Sequence, residues 1–425
     1  MRRTIWALFL AGLLLQLLFV VRVWRAWPGY PEMPGSSIAS DGVEFRALME
    51  SFLVDPRPMP SWKKSGTGTD IPGCLLPFLL AGPAMVTHDV RASVLVVVLF
   101  HVAAGLLLLS TVRRAFGDRF AAVYLVVFWL SPWRLFHSGF VWEPNLLILP
   151  AAAHLWGCWV SRESPRPLAS FVIGATIVLT FQIHLSGIFL IFLTVLLLWR
   201  KVLKVSWPAF LAGGALGSLP MLPAVLAQFQ GSPLNLASDS GLPGRGFVLV
   251  LPVFRAVLFW LRLGAPDVGR MQVQNCVSCT AAARDSGLAD AVWCFFYRLG
   301  GCLASASVVV SAGATVWWFR RSRAPDRPEP ERWLAAYTWT ALPALMLAAG
   351  LAPITLQTWH VVIAAPVACL PVAAGISAGW PFERKWLRVA VVLFLLLRLP
   401  IAGLQAFDFN AFCLVPAPLA RALQD

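Results

Sequence analysis

Acidic residues are scarce in this chain. Twenty Asp and Glu stand against 34 Lys and Arg over 425 residues, tyrosine occurs four times, and charged residues make up only 13%. With 59% hydrophobic residues and a mean hydropathy of +0.74, that poverty of charge excludes an ordinary soluble globular domain. A phosphate-cradling glycine loop, a nucleophile elbow and a Ser-Lys motif are all missing, which argues against a nucleotide-driven pump or a serine hydrolase. Two similar halves with interrupted helices at matching positions, the habit of secondary transporters, are missing as well. The apolar runs are continuous rather than alternating, which excludes a β-barrel.

What is present is a series of apolar runs long enough to cross a bilayer, so the expected fold is an all-α polytopic membrane protein. Basic residues cluster at the run ends: Arg113, Arg114 and Arg119; Arg162 and Arg166; Arg200, Lys201 and Lys204; Arg320 to Arg332; and Arg384, Lys385 and Arg388. Placing all five clusters in the cytoplasm with the N-terminus gives about eleven spans. They fall near 4–24, 91–112, 120–137, 143–160, 168–183, 185–199, 206–228, 292–319, 333–350, 358–379 and 387–405. The run after Met1-Arg2-Arg3 is too long for a cleaved signal and reads as a retained first span. The net charge of +14 is then a topology signal and a contact to anionic membrane lipids, and no nucleic acid is expected.

The chain is thus expected to form a single transmembrane domain, 1–425, with two outward-facing loop segments, 25–90 and 229–291. Cys74 to Val86 is too short for a span and carries Pro77 and Pro83, which suggests an interfacial or re-entrant piece. Phe247 to Leu263 places Arg255 and Arg262 on one helical face, as in an amphipathic helix lying on the outer membrane surface. Trp24, Trp27, Trp133, Trp142 and Trp359 fall at outer span ends, where an aromatic belt would sit. Cys276 and Cys279 lie in a polar loop with no further Cys or His pair at zinc-finger spacing; a local disulfide and an incidental pair of thiols both remain open.

Against this background Ser40-Asp41-Gly42-Val43-Glu44-Phe45 stands out, because two acids sit three residues apart just beyond the first span. Asp at a helix N-cap with Glu at N3 is a capping box, and the same pair suits a carboxylate base; spacing alone leaves both open. A second constellation runs from Ser131 to Asn145 and places Arg134, His137 and Glu143 at the outer end of two spans. Composition alone favours an aromatic-belt turn with solvated polar residues, although charge at the mouth of a bundle is more often functional than charge in a soluble loop. The remaining outer polar groups are Gln182 and His184 in a hairpin turn, Lys63 and Lys64, Arg255, Arg262, Arg270, and His360 beside Trp359. A phosphate-bearing lipid would need one or two such cations. His101 and His154 fall inside apolar runs as core histidines.

The order of these pieces resembles a known family. A first span is followed by Ser40-Asp41-Gly42-Val43-Glu44-Phe45 and by Gly73-Cys-Leu-Leu-Pro-Phe-Leu-Leu-Ala-Gly. A span then ends in Arg113-Arg114-Ala-Phe-Gly117, and Leu-Ser-Pro-Trp133 leads to Trp142-Glu-Pro-Asn145. This arrangement is similar to the GT-C superfamily of integral-membrane glycosyltransferases, in the bacterial branch of protein O-mannosyltransferases and lipid A aminoarabinose transferases. The similarity is clearest over residues 1–200.

The resemblance implies a glycosyltransferase of the bacterial inner membrane, with its active site facing the periplasm. It would move a sugar from a polyprenyl-phosphate donor to an extracytoplasmic glycan, lipid or protein acceptor. Asp41 matches the family's catalytic base, Glu44 lies in the same segment, and Glu143 stands near a second outer acid of many members. Arg134, His137, His184, Arg255, Arg270 and His360 are the candidate substrate-binding residues. No cofactor is implied, and a divalent metal is left open. A flippase or transporter of a lipid-linked saccharide, or a non-catalytic subunit of a polysaccharide assembly system, would share the bundle without needing Asp41.

Overall fold

The computed structural model describes residues 1–26, 37–64, 70–231, 250–266, 288–324, 326–352, 356–378 and 384–407. The fold is almost entirely helical. The first helices are α1 (Arg2–Ala26), α2 (Ser37–Val54), α3 (Leu75–Thr87), α4 (Val94–Tyr124), α5 (Pro132–Phe136) and α6 (Ile148–Val160). They are followed by α7 (Pro167–Ile183), α8 (Ile188–Trp199), α9 (Trp207–Ser218), α10 (Leu222–Phe229) and α11 (Val250–Gly264). The last are α12 (Leu288–Ser322), α13 (Glu329–Gly350), α14 (Ala365–Ala368), α15 (Leu370–Ser377) and α16 (Lys385–Phe407). The described strands are β1 (Ser61–Lys64) and β2 (Asp70–Pro72), an antiparallel hairpin with Lys63 opposite Ile71.

Among the described residues, four stretches are long and apolar enough to cross a membrane: Arg2–Val21, Val90–Trp129, Trp207–Phe229 and Thr358–Ser377. Shorter apolar helices are Leu75–Thr87, Pro167–Ile183 and Leu185–Trp199. The outward faces of these helices carry Leu10, Leu14, Leu211 and Leu216, and that of α16 carries Val392 and Leu396, all exposed. Such a surface is stable against lipid chains and not against water.

The stretch Val90–Trp129 is two helical legs. Gly117 sits at φ 81° and ψ −177°, a conformation glycine tolerates and other residues resist. There the chain turns back, because a Cβ at Gly105 would lie 2.6 Å from the Trp129 ring. In a straight helix those two positions would stand about 36 Å apart. The reversal falls in the basic segment between the spans expected near 91–112 and 120–137. The returning leg closes in a π-type turn, Leu125–Trp129, which leaves carbonyls pointing away from the helical ladder. Two buried arginines take them: Arg134 donates to Trp129 O at 2.9 Å, and Arg398 of α16 donates to Val127 O and, at 3.0 Å, to Gly264 O.

Helices α7 and α9 meet backbone to backbone. A Cβ at Gly174 would strike the Phe210 carbonyl, and one at Gly213 the Phe171 carbonyl. Glycine is therefore the only residue that allows this approach, in the manner of small-residue packing between membrane helices. At the far end from these helix tops, Arg162 pairs with Glu329 at 3.3 Å and Arg321 with Glu331 at 3.0 Å. Several of the scarce acids are thus spent tying loops together.

Three sequence expectations need correction. Helix α2 begins at Ser37, so Asp41 and Glu44 lie inside it and do not form a capping box at its start. Helix α11 does not lie free on a surface: Ala256, Trp260 and Leu263 are buried, and Gly264 packs on Ser311 and Val372. On its other side Val250, Leu251 and Phe254 face outward. Trp133 and Trp142 are buried core residues, not belt residues, because the turn that carries them folds inward over the bundle.

Candidate functional site

The β1–β2 hairpin creates the site by docking on two helix ends. Trp62 of β1 stacks on Phe45 of α2, with centroids 5.7 Å apart, and its indole N–H reaches Gln182 O at 3.4 Å. Beyond β2, the Cys74 amide donates to Pro220 O at 3.0 Å, and Gln182 Nε2 donates to Gly217 O at 2.7 Å. Hairpin, α2 and the tops of α7 and α9 are therefore joined at one place.

This docking puts Lys63 between two acids. Its Nζ lies 3.2 Å from Glu44 Oε2 and 3.5 Å from Glu143 Oε1, and 5.5 Å from the centre of the Phe45 ring. The Lys63 and Glu143 side chains are only 13% and 8% exposed, whereas that of Glu44 is 58% exposed. The Glu143 arm is the stronger one, because water screens the Glu44 arm. The sequence reading named Lys63 among the outer cations but did not see that it joins the two acids.

Glu143 owes its position to a buried turn. Trp142 is extended, and a short 3-10 turn, Glu143–Leu147, follows it. Asn145 anchors the turn: its Nδ2 donates to Phe140 O at 2.7 Å, so its Oδ1 accepts from His137 Nδ1 at 2.7 Å. The Asn145 carbonyl accepts from His101 Nε2 at 2.9 Å. Arg134 lies deeper still, donating to Gln16 Oε1 at 2.9 Å and Gly12 O at 3.2 Å, and lying 3.9 Å over the Trp129 ring. Both Arg134 and His137 are 1% exposed. The structure buries both: His137 holds the turn through Asn145, and Arg134 ties Trp129 to α1.

Two histidines close the other side. His184 Nδ1 accepts from the Ser186 amide at 3.1 Å and lies 2.8 Å from Ser186 Oγ; His360 Nδ1 accepts from the Gln357 amide at 2.9 Å. In each neutral ring the proton therefore sits on Nε2. The two rings are 5.7 Å apart. Burial, and after it His360 and Lys63, push His184 down to about 3, so its ring is neutral at physiological pH. Arg255 of α11 comes near the same turn, donating to Leu356 O at 3.4 Å.

The structure brings Glu44, Glu143, His184 and His360 together around Lys63, with Arg255 beside them. Asp41 occupies the position three residues before Glu44 on α2, and its side chain lies outside the described residues. Arg270, Cys276 and Cys279 also lie outside them. Among the described residues no group of three His, Cys, Asp or Glu is gathered closely enough to hold a metal ion. The arrangement offers carboxylates to accept hydroxyl protons, imidazole N–H donors and a screened ammonium that can meet an anion.

No protein-family model matches the chain, and no curated protein matches it. Among solved structures, it is similar to the Archaeoglobus fulgidus oligosaccharyltransferase, crystallised as a complex with Zn and sulfate. The TM-score is 0.47 and the identity 13%, over 94% of this chain and 53% of that one. The chain thus spans about half the length of the archaeal protein.

Proposed function

We propose that this protein is a membrane glycosyltransferase that moves a sugar from a polyprenyl-phosphate donor to an extracytoplasmic glycan, lipid or protein acceptor. In this reading it sits in a bacterial inner membrane, crosses it about eleven times and works on the periplasmic face. The observation that carries it is the convergence of Glu44 and Glu143 on Lys63, next to His184 and His360. Two acids from distant parts of an acid-poor chain meet at one end of the bundle, on the helix that also carries Asp41.

The chemistry needs one base and a place for a departing phosphate. Asp41 takes the proton of the acceptor hydroxyl as its oxygen attacks the anomeric carbon. The bond from that carbon to the phosphate oxygen breaks, and its electron pair leaves with the polyprenyl phosphate. Lys63 and Arg255 stabilise the charge that develops there. Glu44 and Glu143 hold Lys63 in place before the donor arrives.

The test is product mass after supplying purified polyprenyl-phosphate sugars and candidate acceptors to the full-length protein in nanodiscs. A new glycosidic bond made by the wild type, and lost in Asp41→Asn at equal protein level, is the expected result. Full transfer by Asp41→Asn would remove Asp41 as base. Passage of the donor across the bilayer with no bond formed would favour the flippase reading.

A further inference from the structure

A row of rings runs up through the site and ends in one that is not fully covered. His137 stacks on Trp142 with centroids 5.9 Å apart, Trp142 meets Trp359 at 5.5 Å and 52°, and Trp359 meets His360 edge-on at 5.5 Å. His137 and Trp142 are buried, whereas Trp359 is only half-buried. An indole held between a second, tilted indole and an edge-on imidazole is fixed in orientation. The 3-10 turn that carries it, Thr358–Ala364, packs against both the turn that starts at Glu143 and the turn Leu185–Gly187 beside His184.

We propose that Trp359 is the platform on which the pyranose ring of the donor sugar lies, held in place by Trp142 and His360. This inference rests on the glycosyl-transfer reading above. The face of an indole is electron-rich, and the C–H face of a pyranose is electron-poor and flat enough to cover it. The hydroxyls at the rim of such a ring need acceptors and donors. Glu143 provides the first, and the Nε2–H groups of His184 and His360 the second. A bare lipid chain would use the indole but none of these polar groups. A furanose, smaller and puckered, would cover less of the indole face.

Binding to the full-length protein in nanodiscs separates the contributions. Three probes serve: farnesyl phosphate, farnesyl-phosphoryl mannopyranose and farnesyl-phosphoryl arabinofuranose. The wild type is expected to bind the pyranose probe most tightly. Trp359→Leu should weaken the pyranose probe roughly three- to tenfold and leave farnesyl phosphate unchanged, while Trp359→Phe keeps most of the preference. As a second readout that does not depend on the leucine variant folding, the pyranose probe should perturb tryptophan emission in the wild type more than in Trp359→Phe. Equal weakening of all three probes, or pyranose binding and emission changes that Trp359→Leu and Trp359→Phe leave untouched, would overturn the platform while sugar transfer by the wild type still stood. Failure of the wild type to bind any of the three would overturn the platform and the glycosyl-transfer reading together.

Discussion

Lys63 and Glu143 stand eighty residues apart in sequence and 3.5 Å apart in space, on a hairpin and a turn that belong to different parts of the bundle. The pair closes the site from two sides, and each partner is largely shielded from water. Removing Glu143 leaves Lys63 on Glu44, whereas removing Lys63 takes from the shielded Glu143 its paired cation. Lys63→Ala should lower stability by roughly 3 kcal/mol, since a shielded carboxylate that loses its paired cation is costly. Lys63→Ala combined with Glu143→Gln should recover most of that loss without recovering transfer. Thermal unfolding in detergent and the transfer assay together check both halves.

The α7–α9 contact is expected to be the least forgiving of bulk. Gly174→Leu or Gly213→Ile would push apart the helices on which the Lys63 hairpin is docked, costing more than about 2 kcal/mol. Size-exclusion profiles should show loss of monodisperse protein for either variant. Gly82→Ala, whose Cβ meets nothing within 4 Å, should behave as wild type.

Arg134 and Arg255 should separate cleanly in kinetics. Arg134 holds three acceptors with one planar guanidinium, which lysine cannot reproduce. Arg134→Lys is therefore expected to lower thermal stability while leaving the KM for the donor unchanged in the protein that folds. Arg255→Ala should do the reverse, raising that KM several-fold with little change in melting temperature. Initial-rate measurements across donor concentration decide it.

His184 predicts a pH signature in stability. Its folded-state value lies near 3, below the value of about 6.5 for the unfolded chain, so the unfolded chain takes up a proton first on acidification. The cost begins as pH falls below about 6.5 and grows until the folded value is reached. His184→Asn, whose side-chain oxygen can accept from the Ser186 amide, should flatten part of that decline. Melting temperature measured from pH 7.5 to pH 4 is the check.

The sequence exposed the class and most helix positions because apolar length and basic loop ends report directly on membrane crossing. It also singled out Glu44, Glu143, His184 and His360, which the structure gathers together. It misplaced Arg134 and His137 at a solvated mouth, because a polar residue between apolar runs looks the same whether the turn faces outward or folds over the core. The role of Lys63 was hidden for another reason. A two-residue Lys63-Lys64 step carries no sign of which lysine faces the acids until the pairing of β1 with β2 is known. The docking of the hairpin on Gln182 and Pro220 depends on contacts no local pattern encodes.

The arginine on α16 has a consequence for how the protein is made. The Val127 carbonyl of the π-type turn receives a guanidinium donor from a residue 271 positions later. During synthesis that oxygen is already in the membrane while its partner has yet to emerge from the ribosome. Cys369, whose Sγ lies 3.7 Å from Val127 O and 3.5 Å from Leu263 O, reaches the seam between the π-type turn and the end of α11 first, and Arg398 reinforces it last.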